Sequence, residues 1–152
     1  AFFEAFPKTF FELEVLFGHH PELIPSNLYT EGHNYSTAFW TRLPAVPLDQ
    51  RADRLIDLLT GGEWEGDMPN YLKSELKAFA DKEPLTLFRL LSRRPQPVQR
   101  LFWQCYWQNP NNAPWLAAAL SHYKKAAARK YPRETAVMES AYREFAGTVG
   151  GR

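Results

Sequence analysis

The chain reads as an all-α protein, an irregular bundle of about eight helices forming a single domain. Three observations predict this. Apolar residues recur at i, i+3, i+4 and i+7 through most of the 152 residues, and no segment alternates as a half-buried strand does. Prolines and glycines interrupt that pattern at helix-length intervals, without a fixed period that would indicate a solenoid. The third is the stretch Leu101–Trp115, LFWQCYWQNPNNAPW, whose first seven residues are apolar almost all the way round. A helix of that kind must be enclosed by other elements, so it is the expected hub. With 45% hydrophobic and 15% aromatic residues, the chain is long enough and apolar enough for one substantial core.

Residues 1–18 form an aromatic helix. Thr9 caps it, Glu12 completes a capping box, and Gly18 supplies a left-handed stop. Phe6, Phe10, Leu13 and Phe17 share one stripe, which reads as core. Residues 18–27, with two prolines and His19-His20, are loop. Thr30 is expected to cap a segment running to Leu43, with Tyr35, Phe39 and Leu43 aligned. Pro47–Thr60 is the best-defined helix, with Leu48, Ala52, Leu55, Ile56 and Leu59 on its apolar face and Asp49 and Asp53 near its positive end. Arg51, Asp53, Arg54 and Asp57 fill its outer face as i,i+3 and i,i+4 charge pairs, and Gly61-Gly62 stops it.

Asp67 caps the following helix, which turns Met68, Leu72, Leu76, Phe79 and Ala80 inward. Pro84 starts another, bearing Leu87, Phe88 and Leu91, that ends at Pro95. Pro97 suits the first turn of the hub, and Asn109-Pro110 ends it. Asn112 caps the next helix, with Pro114 in its first turn. Leu116, Ala119, Leu120, Tyr123 and Ala127 face the core there, and Lys124, Lys125, Arg129 and Lys130 lie near its negative end. After Pro132 the last helix aligns Val137, Met138, Ala141 and Phe145 and frays at 147–151.

Net charge is only +1, yet it is unevenly placed. Residues 1–76 hold five Lys/Arg against twelve Asp/Glu, a net −7, and residues 77–152 hold thirteen against five, a net +8. The asymmetry is compatible with a charged partner or with acidic and basic helices facing one another. Arg89, Arg93, Arg94 and Arg100, with Lys124, Lys125, Arg129, Lys130 and Arg133, are a candidate nucleic-acid face. A pI of about 8.1 and the absence of a known docking motif weigh against it.

Candidate chemistry is sparse. His19, His20, Glu22, Glu31 and His33 are competent metal ligands, but no spacing sets two imidazoles on one helix face, so no metal and no cofactor is expected. Cys105, the one cysteine, lies within the most apolar helix, where a thiol stays protonated and inert. No nucleophile-elbow, phosphate-loop or dinucleotide pattern occurs, and no run of eighteen apolar residues spans a membrane. Glu63, Glu65 and Asp67 crowd one short loop, Gly61–Met68, around Trp64. An indole within an acidic rim has the composition of an interface hot spot, which makes Glu63, Trp64, Glu65 and Asp67 the candidate partner-binding residues. The alternative is that Trp64 tucks under the loop as core and leaves only the acids outside.

The phrases FPKTFFELEVLFG, GGEWEGDMPNYL and LFWQCYWQNP resemble small helical immunity proteins that protect bacteria from type VI secreted peptidoglycan amidases. The resemblance implies a non-enzymatic, periplasmic inhibitor whose loop or helix end enters the cleft of a cognate amidase toxin. A first residue of Ala1 rather than Met fits a signal-cleaved chain or a trimmed one. Self-association as a homodimer is also compatible. The remaining readings are a nucleic-acid-binding helical protein and a metal-dependent hydrolase built on His19, His20 and His33.

Overall fold

A computed structural model of the chain describes residues 1–63, 66–108 and 115–149, with side chains to residue 146. Among these residues it is all-helical and without strands, as expected. The helices are α1 (Phe2–Ala5), α2 (Phe10–Phe17), α3 (Gly32–Thr41), α4 (Leu48–Leu59), α5 (Met68–Lys82), α6 (Pro84–Leu91), α7 (Gln96–Trp107), α8 (Trp115–Ala127) and α9 (Pro132–Val149). A 3-10 turn, Tyr29–Glu31, precedes α3.

The expected hub is α7. Gln99, Phe102, Trp103, Cys105, Tyr106 and Trp107 are buried, and Pro97 lies in the first turn as predicted. Its rings pack as a cluster. Trp103 stacks on Trp107 with centroids 5.3 Å apart, Phe88 and Tyr123 flank Trp103, and Tyr142 meets Trp107 edge-on. Each such side chain contributes about 1.5–3 kcal/mol on burial. Two hydroxyls enter this apolar volume together: Tyr106 and Tyr123 share a 2.8 Å hydrogen bond, and Tyr123 donates to Asp81 at 3.1 Å. Leu101, on the far side of α7, is exposed. The helix's most extensive neighbour is α9, and it also packs on α4.

The central helix is α4, which touches α2, α5, α6 and α7. Because it is covered from several sides it buries Ala52, Leu55, Ile56, Leu58 and Leu59, so Leu58 joins the expected face. Leu48 leaves it: as the first residue of the helix it lies at the rim, 42% exposed. The outer-face charges form tertiary contacts rather than the expected pairs along the helix. Arg54 donates to the carbonyls of Phe3 and Phe6 at 3.3 and 3.2 Å and lies 4.6 Å over the Phe3 ring. Arg51 donates to the Trp40 carbonyl, while Asp53 and Asp57 both receive Arg94. Gly61, at φ 74°, ends α4 in the left-handed region that glycine permits.

Other boundaries depart from expectation for local reasons. Residues 1–18 form two helices because Phe6, ahead of Pro7, is held extended (φ −68°, ψ 145°). Thr9 caps α2 as predicted, accepting from the Glu12 amide at 3.2 Å, and Glu12 reaches back to the Lys8 amide at 2.7 Å. Gly18 is extended rather than left-handed. Its requirement is space, since a Cβ there meets the Glu14 carbonyl oxygen at 2.4 Å. Thr30 caps nothing: it lies inside the 3-10 turn, which Asn27 starts by accepting from the Tyr29 amide. Helix α6 stops at Leu91, four residues before Pro95. The expected corner residues Asn109, Pro110, Asn112 and Pro114 lie outside the described residues. Helix α9 continues through 147 to Val149 instead of fraying there. The inward faces predicted for α5, α6 and α8 are buried, with Leu120 only half so.

Candidate protein-binding surface

The loop after α4 is held against α2. Gly62 is buried, and a Cβ built there meets the Phe10 ring at 2.5 Å, so any larger residue must displace that ring or the loop. Glu63 and Asp67 are exposed. Asp67 occupies the position before α5, but its side chain caps no amide, contrary to expectation. Trp64 and Glu65 lie outside the described residues.

Helix α2, on which Gly62 rests, also carries an apolar surface that the sequence pattern did not single out. Helix α2 buries Leu13 and Phe17 and half-buries Phe10, which leaves its opposite side to solvent. On that side Phe11 is 76% exposed and Val15, one turn on, is 47% exposed. Leu16 is also exposed, and Leu23 and Ile24 add apolar area in the segment after the helix. Single exposed leucines are ordinary, but an exposed phenylalanine paired at i,i+4 with an exposed valine is a candidate contact stripe. Glu4, Glu12 and Glu22 are exposed within the same N-terminal segment, against the single cation Lys8. The available signal was the pair left over once Phe6, Phe10, Leu13 and Phe17 were assigned inward, namely Phe11 and Val15.

Among the candidate metal ligands, His20 and Glu22 approach each other at 3.8 Å. The His19 ring packs on Tyr29, His33 packs on Tyr71, and His20 Nε2 lies 3.2 Å from the Glu14 carbonyl oxygen. No group of three or more metal-competent side chains occurs among the described residues. Cys105 is fully buried. Desolvation pushes its thiol up to about 11, partly opposed by the nearby Lys73 ammonium, so it is a poor nucleophile at neutral pH. Lys73 Nζ donates to the Gln108 and Cys105 carbonyls at 2.8 and 3.4 Å, satisfying the end of α7, and burial lowers its pKa.

Titratable groups do converge beside Trp115, in a depression of about 300 Å³ between α5 and α8. Lys77 pairs with Asp81 at 2.5 Å and lies 5.3 Å over the Trp115 ring, and His122 Nε2 is 3.0 Å from the Asp81 carbonyl oxygen. Burial raises the pKa of both Tyr106 and Tyr123, so the chain Tyr106–Tyr123–Asp81 holds its phenolic protons. These contacts brace α5 against α7 and α8.

Four of the nine basic candidates are taken up in ion pairs. Arg94, 12% exposed, binds Asp53 at 2.9 Å and Asp57 at 2.7 Å. Burial alone lowers the pKa of its guanidinium, and the two carboxylates more than offset that. Arg89 pairs with Asp49, Arg100 with Glu144 and Lys124 with Glu139. Arg89 and Arg94 thus join the basic half of the chain to the acidic half, whereas Arg100 and Lys124 pair within the basic half. No protein-family model, curated protein or solved structure matches this chain.

Proposed function

We propose that the chain is a non-enzymatic protein-binding module, in its specific form a periplasmic immunity protein that inhibits a cognate secreted peptidoglycan amidase by covering its active-site cleft. The observation that carries the binding reading is the exposed Phe11–Val15 stripe on α2, with acidic neighbours and with Gly62 packed on Phe10 of the same helix. Its apolar centre supplies contact area, and its acids favour a partner with a basic rim and speed encounter with it. A short helix tied down by Thr9 at its start and by close packing at Gly18 loses little freedom on docking. The amidase as partner comes from the sequence resemblance.

The test is binding to candidate peptidoglycan amidases, read by calorimetry alongside thermal stability. Phe11→Ala and Trp64→Ala are each expected to cost about 2–4 kcal/mol of affinity, as central aromatic anchors do, with the melting temperature nearly unchanged. Unchanged affinity in both variants overturns the surface assignment. Strong, steeply salt-dependent retention on DNA in place of protein binding favours the nucleic-acid reading instead.

A further inference from the structure

A second surface complements the first. Between α7 and α9 runs an open groove of about 540 Å³, lined by Pro97, Ala136 and Val137 and flanked by Arg100 and Arg133. Its floor is apolar and its charged residues are cationic. Arg133 has no anionic partner among the described residues, whereas Arg100 shares Glu144 with Gln104. Arg129 and Lys130, just ahead of α9, are exposed and add to the positive charge at this end.

We infer that this groove receives helix α2 of a second copy of the chain, giving head-to-tail self-association. Three properties select that occupant. The outer side of α2 presents Phe11 and Val15 beside the exposed Glu12, an apolar-acidic stripe against an apolar-basic groove. The eight residues of α2 span about 12 Å, and the eight residues from Arg133 to Ser140 along the groove span the same length at the same helical rise. The two surfaces cannot meet within one chain, because α4 packs on α2 and also on α7 and so stands between them. A contact between unlike surfaces is heterologous, so it extends into chains or closes into a ring. It also occludes the α2 stripe used in the proposed function, so self-association and partner binding compete.

Sedimentation velocity over a concentration series, with matched single-surface variants, tests this. The wild type is expected to gain mass beyond a dimer as concentration rises, and to do so less at high salt. Phe11→Asp disables one surface and Ala136→Asp the other, so each variant alone is expected to stay monomeric, with self-affinity weakened at least about tenfold. Mixed one to one, they retain a single intact pairing and are expected to form a heterodimer that grows no further. A monomeric wild type, an Ala136→Asp variant that still associates, or a mixture that remains monomeric each overturns the inference. Ala136→Asp leaves α2 intact, so its affinity for the amidase reports on the proposed function separately.

Discussion

Helices α2 and α7 are comparable in composition and opposite in fate. FFELEVLF carries three phenylalanines in eight residues, and LFWQCYW carries four aromatic rings in seven. In α7 the rings of Phe102, Trp103, Tyr106 and Trp107 are all enclosed, because α4 and α9 cover that helix and the rings of Phe88 and Tyr123 fill the space beside them. In α2 the side that carries Phe11 and Val15 is exposed, so Phe11 stays in water while Phe17 does not. Aromatic content therefore does not define the core; the number of covered sides does. An aromatic ring left on the uncovered side is surface held ready for another molecule.

The largest expected effect is at the hub. Trp103→Ala is expected to cost about 3–5 kcal/mol through lost burial and a residual cavity, a large part of a typical total of about 5–15 kcal/mol. Urea denaturation checks it, and an unchanged midpoint breaks the contrast with α2.

Next is the alkaline behaviour of Cys105. Its pKa rises from 9.0 unfolded to about 11 folded, so the folded state keeps its proton longer. The stabilisation is complete below pH 9 and is lost as pH climbs through 11, amounting to about 2–3 kcal/mol. Lys73, lowered by burial, titrates with the opposite sign, so the comparison is with Cys105→Ala: that variant is expected to lack the thiol's share of the slope. Parallel pH profiles for the two proteins would show that water reaches the hub.

Arg94→Ala sharpens the comparison where the α6–α7 corner is tied to α4. It leaves Asp53 and Asp57 facing each other unpaired, for an expected loss of about 1–2 kcal/mol, moderated because both carboxylates are partly exposed. Thermal melting at low and high salt reads it, with a smaller loss expected at high salt. The smallest effect is the most telling. Phe11→Ala, on the open side of α2, is expected to change stability by no more than about 0.5 kcal/mol. A loss of several times that size would mean the ring is covered and the stripe does not exist.

Much of this was legible in the amino-acid order. The helical pattern, the enclosed α7, the Thr9 cap and the inward faces of α5, α6 and α8 all follow from periodicity and capping chemistry, which act within a turn or two. What was not legible depends on contacts distant in sequence. Arg51, Arg54, Asp53 and Asp57 look like partners along α4, but neighbouring elements supply better ones: the Trp40, Phe3 and Phe6 carbonyls and the Arg94 guanidinium. The same reason hid Leu58, which is buried because α4 is covered on several sides. For the candidate site the acidic loop was readable, with Glu63 and Asp67 exposed, but its seat on Phe10 and the open side of α2 were not. Those depend on which helix lies next to which.

The stacked Trp103–Trp107 pair also has an optical consequence. Two indoles 5.3 Å apart and within 16° of parallel couple their electronic transitions, so the folded protein should carry a near-ultraviolet circular dichroism signal to which this pair contributes. Loss of that signal ahead of the far-ultraviolet helical signal would mark loosening of the hub while the helices persist. Either indole replaced by phenylalanine removes the coupling, so the hub is a built-in chromophore whose integrity can be followed without any added label.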